Sequence, residues 1–166
     1  MNHYSVIDGP DVELFDKALI MLNESLGELR RIAGCMMPVT VMRFGLRTSL
    51  EDFCRAIPGV KFRYLGENPR LNIHLEKVIY HCARELVNNA VKRAGDTVNV
   101  QLMIDNGMVS LTVHDNGAGF NPETIVPGAE LENIRAVISA LNGKMQILSS
   151  PGNGTEVSIE IEKSEE

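Results

Sequence analysis

The chain has 166 residues, 44% hydrophobic and 23% charged, which is enough apolar material for one domain with a real core and argues against disorder. A net charge of −6, with 5% aromatic residues and no Trp, argues against a nucleic-acid partner, because phosphate needs a basic face and single strands need stacking platforms. Cys35, Cys54 and Cys82 form no CxxC pair, so neither zinc nor a disulfide framework is expected and a reducing compartment fits; with no apolar run near the roughly 18–20 residues of a membrane span and no signal-peptide pattern, a cytoplasmic chain without membrane contact is expected.

Phe15, Leu19, Leu22, Leu26, Leu29, Ala33 and Met36 alternate spacings of four and three, a heptad seam that seeks a partner helix. Gly27 weakens this helix by about 1 kcal/mol relative to Ala, and Pro38 breaks or redirects it. Two regions are therefore expected, a helix region over 1–37 and a domain over 38–166. A second helix is predicted from Val39 to Ile57, with Val41, Phe44, Leu50 and Phe53 in the core and Pro58-Gly59 as its stop. A strand over Val60–Leu65 and a turn at 66–69 follow. From Ile73 to Ala94, Leu75, Val78, Ile79, Cys82, Ala83, Leu86, Val87 and Ala90 recur every three or four positions, the mark of a long amphipathic helix. Val98, Val100, Leu102 and Ile104 alternate with mostly polar neighbours, as do Val109, Leu111 and Val113, with the hairpin signal Asn106-Gly107 between them. Leu131, Ile134, Ile138 and Leu141 mark a last helix, stopped by Asn142-Gly143. Two strands, Lys144–Ser149 and Thr155–Glu162, complete the order. The fold class predicted is an α+β two-layer sandwich, a mixed and mostly antiparallel sheet with helices on one face.

Three polar features interrupt this pattern. Glu85, Asn89 and Lys92 stand at i, i+4 and i+7 of the long helix, within about 60° of one another along the border of its apolar face. An amide oxygen can ligate magnesium, an ammonium can meet phosphate, and a carboxylate can orient or deprotonate an acceptor. A solvated helix face uses the same residue types. Asp115-Asn116-Gly117-Ala118-Gly119-Phe120 directly follows a strand, where a carboxylate can accept from an exocyclic amine such as adenine N6 and glycines allow close approach to a flat ring. Turns use these residues too. Gly152-Asn153-Gly154-Thr155 adds a third glycine turn and a hydroxyl before the last strand.

Taken together, these stretches carry a family resemblance. Tyr80–Ala94 resembles the N box of bacterial sensor histidine kinases, Asp115–Phe120 their G1 box, and Gly152–Thr155 their last glycine box. Glu28–Phe53 is similar to the second dimerisation helix and following helix of the branch that pairs with helix-turn-helix response regulators. The resemblance spans about residues 15–162. It implies the Bergerat ATP-binding fold of the GHKL superfamily, preceded by part of a dimerisation region, with ATP and Mg2+ as cofactors. By the resemblance, Asn89 is the magnesium ligand, Glu85 the catalytic residue that activates the acceptor, and Lys92 a phosphate contact. Asp115 reads adenine, and Asn88, Gly117, Gly119, Gly128, Glu130, Leu131, Gly154 and Thr155 complete the nucleotide site. Its implied partners are ATP or ADP, the protein's own dimerisation and phosphoacceptor segment, a response regulator of the helix-turn-helix type, and a second copy in a homodimer.

The chain departs from the family in its lid box, at Val137 and in its histidines. The lid box, usually Gly-x-Gly-Leu-x-Asn, here reads Gly128-Ala129-Glu130-Leu131-Glu132-Asn133, placing a carboxylate where backbone N–H groups would meet the triphosphate; Val137 also replaces a frequent arginine. None of His3, His74, His81 and His114 fits the family's acceptor pattern of a histidine followed by an acidic residue. The expected function is the ATP-binding catalytic region of a two-component histidine kinase, acting on a histidine outside this chain. The alternatives are a degenerate binding and dimerisation module without ATP turnover, and an anti-sigma-type serine kinase on the same fold.

Overall fold

The computed structural model describes residues 39–67, 69–93, 96–122, 124 and 128–163, together with Leu14, Lys17, Met21 and Ser25. The chain divides into two units, Met1–Met37 and Pro38–Glu166. In the first, the four described residues are helical and exposed. The heptad-seam residues from Phe15 to Met36 lie outside the described residues.

In the second unit, alternation builds the sheet. Its strands are β1 (Val60–Gly66), β2 (Val98–Asp105), β3 (Met108–Asp115), β4 (Lys144–Ser149) and β5 (Thr155–Glu162), in the order β1-β2-β3-β5-β4. β1 and β2 run parallel and the other pairs antiparallel, so the sheet is mixed as expected. Asn106 and Gly107 both take positive φ, 48° and 78°, which suits a two-residue hairpin to the twist of its strands. Because neighbours in register share a face, the buried side reads as rows. Phe62, Val100, Val113, Val157 and Ile147 form one, and Tyr64, Leu102, Leu111, Ile159 and Met145 the next. A further row, Val60, Val98, Asp115, Thr155 and Ser149, closes that face at one end. There the inward positions turn polar.

Three helices cover this side: α1 (Val39–Arg55), α2 (Ile73–Arg93) and α3 (Ala129–Ala140). α2 packs on β3 and β2, α1 on α2 and β1, and α3 on β4 and α2. Leu50, Ile79, Leu102, Leu111, Ile138 and Ile159 are fully buried, each side chain contributing about 1.5–3 kcal/mol by leaving water. Asn72 caps α2 by accepting the His74 N–H at 2.8 Å, satisfying an otherwise free donor of the first turn. Between α1 and α2, the Phe53 and Tyr80 rings meet edge-on at 6.3 Å. The Arg84 guanidinium lies 5.7 Å from the first and 5.8 Å from the second, a cation–π arrangement. Cys54 and Cys82 are free and buried; burial pushes their thiols up to about 11 and about 12, which leaves them as packing side chains.

Some sequence expectations fail locally. Phe44, expected in the core, is 61% exposed, while Val41 and Leu50 are fully buried and Phe53 is half-buried. The cause is Gly45, whose φ of 82° and ψ of 174° interrupt the helical phase in a region essentially closed to residues with a Cβ. Arg70 braces this break: its Nη2 donates to the Met42 carbonyl at 3.2 Å and pairs with buried Glu76 at 3.2 Å. α1 ends at Arg55 rather than Ile57, and β1 runs one residue further, to Gly66. Leu141 is 40% exposed, because α3 ends at Ala140 and Leu141 is already its cap.

Candidate functional site

The polar end row faces a cleft lined by Leu86, Asn89, Ala90 and Arg93 of α2, Val113 and Asp115 of β3, Phe120, Leu131 of α3, and Thr155 and Val157 of β5. Alternation produces it directly: the phase that turns Val109, Leu111 and Val113 inward carries on to Asp115, and that of Val157, Ile159 and Ile161 runs back to Thr155. Asp115 and Thr155 are register partners across β3 and β5. Asp115 is only 6% exposed, and its Oδ1 accepts the Gly117 N–H at 2.8 Å. One carboxylate oxygen thus holds the turn while the other has no hydrogen-bond role in it.

The loop after β3 is fastened from several sides. Asn116 Oδ1 accepts the N–H groups of Asp96 at 3.2 Å and Thr97 at 3.0 Å. A side chain on Gly117 would overlap the Arg93 carbonyl oxygen, one on Gly119 that of Ser150, and one on Gly154 that of Asp115. These three glycines therefore serve the chain's own close approaches, loop against helix end and loop against loop. The cleft has a volume of about 30 Å³ and opens to solvent.

Of the residues singled out in the sequence, Asn89, Asp115, Leu131 and Thr155 come together on this cleft. Glu85 and Asn88 are half-buried on α2, and Lys92 is exposed near its end. Gly117 and Gly154 are buried and Gly119 is half-buried, in the loops beside the cleft. Gly128 caps α3 without a side-chain hydrogen bond, and Glu130 stands exposed in the first turn. Among the described residues, none of His74, His81 and His114 lines the cleft, and no group of three His, Cys, Asp or Glu is placed to hold a metal. No helix of the described residues is long and apolar enough to cross a membrane. The sequence analysis does not single out the apolar walls Leu86, Ala90, Val113 and Val157, which look like ordinary core positions; Phe120 closes the loop it does single out. It also missed Ser149, whose hydroxyl contacts Phe120, Gly154 and Thr155; the inward phase of Met145 and Ile147 on β4 already pointed to it.

Residues 74–165 match the family described as histidine kinase-, DNA gyrase B-, and HSP90-like ATPase. Over 112 residues the chain is 32% identical to the sensor histidine kinase MctS of Rhizobium johnstonii, covering 64% of this chain and 24% of that protein. Over 167 residues it is 22% identical to the sensor histidine kinase LiaS of Bacillus subtilis, covering 97% of this chain and 46% of the other. The chain thus spans less than half the length of these curated relatives. The fold is similar to that of the blue-light activated histidine kinase EL346 of Erythrobacter litoralis, with a TM-score of 0.55 and 20% identity over 72% of this chain and 40% of that one.

Proposed function

Because the chain belongs to the histidine kinase-, DNA gyrase B-, and HSP90-like ATPase family, we propose that it is the ATP-binding catalytic region of a two-component sensor histidine kinase. Its reaction is transfer of the ATP γ-phosphoryl group to a histidine outside this chain, releasing ADP. The observation that carries the reading is the gathering of Asn89, Asp115, Leu131 and Thr155, from one helix, two paired strands and a second helix, on one cleft. Asp115 accepts the adenine amine, while Leu86, Ala90, Val113, Phe120, Leu131 and Val157 bury the ring. Asn89 holds Mg2+ through its amide oxygen. A single amide ligand suits this ion, which keeps waters and takes most other ligands from phosphate. When bound, magnesium neutralises charge on the transferring phosphoryl. Glu85, one turn before Asn89, orients the accepting imidazole, Lys92 meets phosphate oxygens, and the Gly128–Leu131 turn covers them. In the whole protein the partners are a second copy, the phosphoacceptor helix and a response regulator of the helix-turn-helix type, all on the cytoplasmic side.

Calorimetric titration with ADP and a non-hydrolysable ATP analogue, with and without magnesium, tests the reading. Saturable adenine-nucleotide binding, strengthened by magnesium for the triphosphate, is expected; no binding of either at millimolar concentration refutes it. Glu130 favours a second reading, a partner-binding module without ATP turnover, since its carboxylate occupies a helix end that otherwise attracts anions.

A further inference from the structure

Ser149 ends β4 opposite Thr155 of β5, and its hydroxyl makes three contacts. It accepts the Phe120 N–H at 2.9 Å, donates to the Gly154 carbonyl oxygen at 3.0 Å, and lies 3.0 Å from Thr155 Oγ1. A serine hydroxyl has one hydrogen and two lone pairs. With the hydrogen given to Gly154 and one lone pair taken by Phe120, only a lone pair remains for Thr155. In that arrangement Thr155 is the donor of the pair. Its own proton is then spent, and it turns only lone pairs toward the cleft it lines. Asp115, the next residue in the row, offers only acceptors as a carboxylate.

We infer that Ser149 determines base specificity: by taking up the Thr155 hydroxyl proton, it keeps the cleft floor acceptor-only, so that a 6-aminopurine is admitted and a 6-oxopurine rejected. The inference rests on the nucleotide reading above. An amine at position 6 donates to such a floor, whereas the carbonyl oxygen of hypoxanthine or guanine meets lone pairs and loses its hydrogen bonds to water. Ser149 acts through Thr155, as a positioning residue. Without it, the Thr155 hydroxyl is free to rotate and donate to the oxo group.

The test is calorimetric titration of ADP and IDP against the parent chain, Ser149→Ala, Thr155→Val and the double variant. The parent prefers ADP, and Ser149→Ala shifts the ADP-to-IDP ratio toward IDP by about threefold to tenfold, the worth of one hydrogen bond. In the Thr155→Val background, where no hydroxyl can be released, the same substitution leaves the ratio unchanged. Should Ser149→Ala not fold, Ser149→Cys, similar in shape with a weaker donor and acceptor, shifts the ratio in the same direction. If Ser149 merely held the Phe120 loop, both nucleotides would weaken alike and the ratio would stand, overturning the inference. Equal parent affinity for ADP and IDP overturns it as well, while the nucleotide reading survives. A parent that binds neither nucleotide overturns both.

Discussion

Asp115 has one carboxylate oxygen engaged by its own turn and lines the cleft. Oδ1 holds the Gly117 N–H, so Asp115→Asn can keep its amide oxygen on that turn and present the NH2 group to the cleft. ADP affinity should then fall by about 1.5–3 kcal/mol, the worth of a charged hydrogen bond, while the thermal midpoint hardly moves. Calorimetry beside a melting curve separates the two. Glu76 gives a pH dependence of unusual sign for a carboxylate. Burial raises its pKa above the ordinary value, outweighing the Leu71 N–H and the Arg70 guanidinium, which lower it. The folded chain therefore binds this proton more tightly than the unfolded chain. The associated stability is fully present below the unfolded pKa and is lost as pH rises through the folded one. Glu76→Gln does not titrate and keeps an acceptor for the Leu71 N–H, so its midpoint should gain on the parent's from about pH 4 toward 7; a gap constant over that range refutes the assignment. Asp115 and Thr155 were legible as candidates because each follows or opens an alternating strand. Ser149 is harder to read: the alternation of Met145 and Ile147 puts it on the inward face, but a serine at a strand end reads as an ordinary turn residue.

At the scale of elements, α3 is expected to set the response to phosphate number. Its first turn carries Glu130 and Glu132, which favour the helix by about 0.3–1 kcal/mol each through its dipole and oppose an anion approaching the same end. Glu130→Gly should strengthen a magnesium–ATP analogue by about fivefold to thirtyfold, after screening of a like-charge contact, and change ADP little. Parallel titrations of the two ligands decide it: no gain for the triphosphate means that Glu130 points away from it, and no binding of either ligand by the variant favours the partner-binding module. Element boundaries were largely readable, because β2, β3 and β5 have period two and α2 a period near 3.6. The break in α1 was not. A glycine in an apolar helical run reads as a tolerated cost of about 1 kcal/mol, whereas Gly45 depends on a guanidinium that arrives from beyond β1. Phe44 was misplaced for that reason.

At the scale of the whole molecule, the Val39–Glu162 elements share one core, made of the sheet rows and the three helices. Residues 38–166 should therefore fold and bind ADP without the preceding segment. The heptad spacing from Phe15 to Met36 leads us to expect self-association of the full chain. Sedimentation at high micromolar concentration should show association that is lost on truncation to 38–166; a strict monomer in both removes the expectation. Overall architecture was legible because the order of elements and their periods constrain it, while the parallel pairing of β1 with β2 depends on a crossover that no local pattern announces. The sheet also orders events in time. β2–β3 and β4–β5 join neighbouring segments, but Asp115 meets Thr155 only when β3 finds β5, across the whole of α3 and β4 in the sequence. Such distant pairings are closed late, after the entropy of the intervening chain has been lost. Until β3 and β5 pair, the cleft has no floor, whatever the two hairpins have formed. Nucleotide should slow unfolding and leave the folding rate nearly untouched, making occupancy of this cleft a seal on a finished sheet rather than a guide to its assembly.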